Sequence, residues 1–139
     1  MKENTRYMGI DLGTKYIGIA VSDESGTIAQ GREVVERTST EDAVKRIEEL
    51  IEKYNVMEIV IGLPLHMNGS QGARADDSVR FAEKIAASTG LEVRLWDERL
   101  STKEVTDVMI KASVRRDKRK KKVDKLAAQL ILQSYLDSL

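Results

Sequence analysis

A chain of 139 residues, 41% hydrophobic and 33% charged, is long enough to bury a core without covalent staples, and it has no cysteine with which to make one. Without cysteine there is no thiolate zinc site and no cysteine nucleophile, and one histidine, His66, cannot build an imidazole cluster, so metal chemistry is left to carboxylates and hard cations. The formal charge is zero but segregated: residues 111–125 hold nine basic and two acidic side chains (+7), whereas residues 1–110 hold 14 basic and 20 acidic ones (−6).

Tyr7 to Asp11 reads as a short strand, and Tyr16 to Val21 as a second, with Ile17, Ile19 and Val21 alternating against Gly18 and Ala20. Ser22 to Gly26 has hairpin-turn chemistry, and Thr27 to Glu36 reads as a third strand, weakened by Gly31. The period then changes. Thr38 and Glu41 form a capping-box pattern ahead of a helical face of Ala43, Val44, Ile47, Leu50, Ile51 and Tyr54. Glu58 to Gly62 is a short apolar run of the kind covered on both faces of a sheet. A loop from Leu63 to Gly72 holds the one proline, Pro64. Val79, Ala82, Ile85 and Ala86 mark a second helix that Gly90 stops. Leu91 to Trp96 is a fifth strand. Ser101 and Glu104 open a helix to about Ala112, the basic segment interrupts, and a last helix runs from about Val123 through Leu126, Ala127, Leu130, Ile131 and Tyr135.

The order β-β-β-α-β-α-β-α-α predicts an α/β fold with a mixed five-stranded sheet, a meander first and helices on its faces, as one domain over residues 1–139. No apolar run approaches the roughly 20 residues that span a bilayer. Met1 to Asn4 carries no apolar signal core, so the expected location is cytoplasmic.

Acids at strand ends are the first candidates for chemistry: Asp11 after the first strand, Asp97 and Glu98 after the fifth. Asp124, one step from Val123 on the last helix and flanked by Lys122 and Lys125, precedes Ala127 and Ala128, small residues that let a helix approach a sheet closely. Each acid has a plainer reading, as a turn residue or a first-turn helix acid favoured by the dipole. If they converge, they suit Mg²⁺ or Mn²⁺, and a pair of such ions about 3.5–4 Å apart can cleave a phosphodiester. The basic segment would hold a nucleic-acid backbone, and its self-repulsion predicts a mobile stretch from Arg115 to Lys122 in the absence of substrate. Arg74 and Asn68 are further loop candidates, and Trp96 reads as core.

Four blocks, in order and nearly spanning the chain, resemble the YqgF family. They are Gly9-Ile10-Asp11-Leu12-Gly13-Thr14-Lys15 with Ile17 to Asp23; Val60-Ile61-Gly62-Leu63-Pro64-Leu65 with Met67 and Gly69; Asp97-Glu98-Arg99-Leu100-Ser101-Thr102; and Lys122-Val123-Asp124 with Ala127-Ala128 and Ile131 to Leu136. Tyr16 departs from the basic or small residue expected after the motif's lysine. The resemblance implies a ribonuclease H-like fold, its later strands parallel, and a phosphodiester-cleaving hydrolase using Mg²⁺ or Mn²⁺. Asp11, Glu98 and Asp124 become the catalytic and metal-holding positions, and Glu98 is chosen over Asp97. Lys15, Arg99, Arg115, Arg116, Lys118, Arg119, Lys120, Lys121 and Lys122 become the nucleic-acid contacts. The implied substrate is the 5′ end of pre-16S rRNA during ribosome biogenesis, ahead of a Holliday junction in branched DNA, with ribosomal particles as partners and the chain a monomer or weak dimer. A non-catalytic RNA- or ribosome-binding module is the competing reading. The first block also resembles the phosphate loop of actin-like and sugar-kinase ATPases, but those need a second lobe that 139 residues do not supply.

Overall fold

The computed structural model describes residues 6–66, 68–98 and 116–139, with side chains from residue 125 onward in the last stretch. Strands β1 (Arg6–Leu12), β2 (Tyr16–Ser22) and β3 (Ala29–Glu36) are followed by α1 (Thr40–Tyr54), β4 (Val56–Leu63), α2 (Ala73–Thr89), β5 (Glu92–Asp97) and α3 (Arg116–Asp137). The sheet order is β3-β2-β1-β4-β5. The first three strands form the expected antiparallel meander, while β4 runs parallel to β1 and β5 parallel to β4.

Strand alternation divides the side chains between two layers. Met8, Ile10, Leu12, Ile17, Ile19, Val21, Ile59 and Ile61 pack with Ala43, Ile47 and Leu50 of α1 and Phe81, Ala82 and Ile85 of α2. Ala20, Ala29 and Val60 pack with Ala128, Ile131, Leu132, Tyr135 and Leu136 of α3, flanked by Tyr7 and Trp96. Each fully buried aliphatic side chain contributes roughly 1.5–3 kcal/mol. The central strands are therefore apolar on both faces, and an acid among them stands out.

The turns follow local chemistry. Between β2 and β3 the Asp23 carboxylate accepts from the amides of Thr27 (2.8 Å) and Ile28 (3.1 Å) and from the Ser25 hydroxyl (2.7 Å). These bonds to its charged form hold its pKa down at about 2. Gly26 closes this turn at φ 71°. The α1 cap is Ser39, which accepts from Asp42 N at 3.1 Å, and not the expected Thr38. Asn55, in the left-handed region at φ 56°, ends that helix, and Gly90 ends α2 as expected.

Helix α3 is already helical at Arg116, where the described residues resume, about two turns before the expected start at Val123. Residues 116–122 are therefore helical backbone, and the predicted interruption within them is corrected. Lys and Arg are good helix formers, and no Gly or Pro follows Gly90 to break the run. The expected helix from Ser101 to about Ala112 lies outside the described residues, as does Met67. Among the described residues no helix is long and apolar enough to cross a membrane.

Candidate active site

Asp11 is the penultimate residue of β1, paired with Gly18 of β2, and only 7% exposed. It points from the same face as Tyr7 and Gly9, the face covered by α3, because Met8, Ile10 and Leu12 belong to the other layer. Ile10 pairs with Ile61 across the parallel β1–β4 ladder, so the next residues along the two strands are Asp11 and Gly62. Adjacent strands lie about 4.8 Å apart.

Glu98 follows the last residue of β5, Asp97, which pairs with Leu63. Its side chain folds back over Gly62: a Cβ placed on Gly62 would lie 2.7 Å from both Glu98 Cγ and Oε2, and 2.6 Å from Ile131 Cδ1. Glu98 thus occupies the space that the missing side chain of residue 62 leaves beside Asp11's strand. Glu98 Oε2 is buried and has no hydrogen-bond partner among the described residues. Burial pushes the Glu98 carboxyl above its ordinary pKa and the neighbouring Asp97 adds to this, while the charge of Arg74 opposes it.

The third expected acid is carried on α3, and its side chain lies outside the described set. The course of the helix backbone is set by contacts further on. Tyr135 meets Tyr7 with ring centroids 6.1 Å apart. Two residues along β1, a Cβ on Gly9 would lie 2.6 Å from Leu132 Cβ and 2.9 Å from the Ala128 carbonyl oxygen. The helix therefore runs antiparallel to β1, and the turn preceding Ala128, which contains Asp124, extends toward the Asp11 end. At the sheet edge, Gln129 accepts from Gly31 N (2.8 Å) and Gln133 from Ala29 N (2.9 Å), fixing that course. Among the described residues no three Asp, Glu or His side chains are grouped to hold a metal.

The loop after Asp11 is braced from two elements. Arg37 donates to the Gly13 carbonyl (3.1 Å) and, through two bonds of 2.7 and 2.9 Å, to Asp77 of α2, while its amide donates to the Lys15 carbonyl (2.8 Å). Arg74 Nη2 reaches the Leu12 carbonyl at 3.5 Å. Lys15 is exposed on this loop. Neither Arg37 nor Asp77 stood out in the sequence, because 40 residues separate the partners and no local pattern links them. Arg99 and Arg115 lie outside the described residues, and so do the side chains of Arg116, Lys118, Arg119, Lys120, Lys121 and Lys122. Trp96 is part of the α3 layer, edge-on to Tyr135 at 5.4 Å and donating to Ser134 at 3.0 Å, a packing role. His66 packs against Gly72 at the start of α2.

A mixed sheet in this order, with acids at the ends of the two strands that flank β4 and a helix crossing over them, is the ribonuclease H-like architecture. The chain matches the solved structure of T. thermophilus RuvC in complex with Holliday junction substrate (TM-score 0.60, 15% identity, 96% of this chain and 94% of that one). It also matches the Fowlpox virus resolvase in complex with Holliday junction DNA (TM-score 0.58, 16% identity, 96% and 98%). At such identities the likeness is one of fold. Residues 5–138 match the family profile RuvX, described as Holliday junction resolvase, and the chain belongs to that nuclease family. Similar proteins named "Putative pre-16S rRNA nuclease" include those of Geobacillus sp. (50% identity, 96% of this chain and 98% of the relative) and Thermoanaerobacter pseudethanolicus (48%, 96% and 96%). That of Myxococcus xanthus is 47% identical over 96% of this chain and 88% of its own.

Proposed function

We propose that this chain is a divalent-metal-dependent nuclease that processes the 5′ end of pre-16S rRNA in the cytoplasm, with Asp11, Glu98 and Asp124 as its catalytic and metal-holding carboxylates. The observation that carries the reading is Glu98. A carboxylate oxygen buried with no donor among the described residues is costly by several kcal/mol unless a proton or a cation completes it, and a second acid nearby favours the cation. It sits over Gly62, beside the strand position of a second acid, Asp11, that is itself 7% exposed. An all-oxygen donor set suits Mg²⁺ or Mn²⁺. When bound, such an ion supplies Lewis-acid activation of water and stabilisation of the leaving oxygen. The chain's own part is to fix the carboxylates before substrate arrives: Asp11 by its strand, Glu98 by folding back over Gly62. Lys15, Arg99, Arg115 and the basic first turns of α3 hold the phosphodiester backbone, with affinity that falls as salt rises.

RNA is preferred as substrate because relatives at 47–50% identity carry that name. The description of the family itself favours a second reading, cleavage of a four-way DNA junction. Purified protein incubated with pre-16S RNA and with a four-way junction, each in Mg²⁺, Mn²⁺ or EDTA, separates them. The expected result is metal-dependent cleavage of the RNA. Cleavage of the junction alone selects the second reading. RNA binding without cleavage of either substrate overturns the nuclease assignment and leaves a binding module.

A further inference from the structure

We propose that Arg74 is a substrate-contacting residue that binds a phosphate of the RNA strand on the α2 side of the acidic centre, an inference that rests on the nuclease reading above. Arg74 stands in the first turn of α2, with Nη2 3.5 Å from the carbonyl of Leu12, the residue after Asp11. It is also the cation whose charge bears on Glu98. An arginine whose charge acts on Glu98 and Asp77 would ordinarily be consumed by an ion pair, and several other arginines of the chain are. Arg37 is held bidentately by Asp77 and its side chain is 15% exposed. Arg46 is held by Glu33 and Glu49, and Arg94 by Glu58 and Glu92.

Arg74 differs. It is exposed, and its hydrogen bond to Leu12 lies at the outer limit of such contacts. Asp77, one turn further along α2, is gripped through both oxygens by Arg37 and acts on Arg74 through its charge, with no direct hydrogen bond between the two among the described residues. A guanidinium has five N–H donors in a fork that matches phosphate bidentately, so most of its capacity is open among the described residues. The surrounding backbone has the same preference. Gly72, the N-cap of α2, has no side chain to cap the first-turn amides. It cannot readily gain one, because a Cβ there would lie 2.5 Å from His66 Nε2. The positive end of the helix therefore adds to the Arg74 charge.

α2 packs on one face of the sheet and α3 on the other. α2 starts after the loop that leaves the C-terminal end of β4, the end at which Asp11 and Glu98 sit on the neighbouring strands, and the basic first turns of α3 extend toward that end. A strand crossing the acids meets cations from both layers.

The test uses the full chain, Arg74→Gln and Arg74→Lys, and a single-stranded RNA oligonucleotide in EDTA over a series of salt concentrations, with thermal melts of each protein. Arg74→Gln is expected to lower the slope of log affinity against log salt by about 0.7, the value of one single-strand phosphate contact. In Mg²⁺ it is expected to raise KM with kcat little changed. Arg74→Lys is expected to keep the slope, because the charge remains, but to bind more weakly than wild type because the fork is lost. Unchanged affinity and slope in Arg74→Gln overturn the inference. So does a lowered melting temperature with an unchanged slope, which would make Arg74 a strut for Leu12. Because binding is read in EDTA, a wild-type protein that binds RNA but cleaves nothing in Mg²⁺ or Mn²⁺ sinks the nuclease reading separately.

Discussion

Glu98 lies so close over Gly62 that its Cγ and Oε2 both come within 2.7 Å of where a Cβ on residue 62 would stand. The smallest possible side chain on β4 would therefore collide with the acid. Ile131 Cδ1, at 2.6 Å, blocks the other direction. Gly62→Ala is expected to displace Glu98 and to destabilise the fold by roughly 1–3 kcal/mol, the range for overpacking a close-packed site. Metal-dependent cleavage should fall further than the folded fraction does. Urea midpoints measured alongside cleavage rates check this, and a folded Gly62→Ala protein with full activity would show that Glu98 is not needed where it lies.

Asp11→Asn keeps the shape of a buried strand residue and removes the charge that would hold a divalent cation in the proposed site. Cleavage is expected to drop to the EDTA background, with the circular dichroism spectrum and melting transition retained. A folded Asp11→Asn protein that cleaves at the wild-type rate would remove Asp11 from the catalytic set.

Much of this arrangement was legible in the sequence, for physical reasons. Ile17, Ile19 and Val21 alternate because β2 separates two layers, and Ile59-Val60-Ile61 is unbroken because β4 is buried on both faces. Gly31 reads from sequence as a weak point in β3. In the fold it is where α3 docks: a Cβ there would lie 2.5 Å from Lys125 Cγ, and Gln129 takes up its amide. That role depends on a partner 98 residues away and has no local signal. The start of α3 was missed for the opposite reason. Seven basic residues between Arg115 and Lys122 suggest repulsion, yet the intrinsic helix preference of Lys and Arg continues from a helix anchored downstream by Gln129, Gln133 and Tyr135.

Tyr135 ties α3 to β4 through its hydroxyl, which donates to Glu58 Oε2 at 2.5 Å. Burial and this acceptor raise its pKa from 10.0 to about 12. A raised pKa means that the folded chain retains the proton that the unfolded chain releases. The stabilisation is therefore complete below pH 10 and lost as pH rises through about 12. Alkaline denaturation of wild type and Tyr135→Phe should show the difference between the two proteins shrinking over that interval. A difference independent of pH would mean that the hydroxyl is not bonded as described.

The first turns of α3 carry the strongest local charge in the chain, and their helical backbone changes what is expected of them. A mobile arm would order on binding and lose part of its affinity to that ordering, whereas a helix presents its charges already spaced. An anion bound among these like charges relieves their mutual repulsion. Replacing Lys120, Lys121 and Lys122 with Gln is expected to weaken RNA binding and to reduce the slope of log affinity against log salt by up to about 2, at roughly 0.7 for each lost contact. The carboxylates are untouched, so saturating RNA should restore much of the turnover. Helicity should hold, because Gln is about as good a helix former as Lys. If affinity and slope are both unchanged, the substrate crosses another surface and these lysines only solvate the helix. If affinity falls while the slope holds, they act through the shape of α3 and not through phosphate contact.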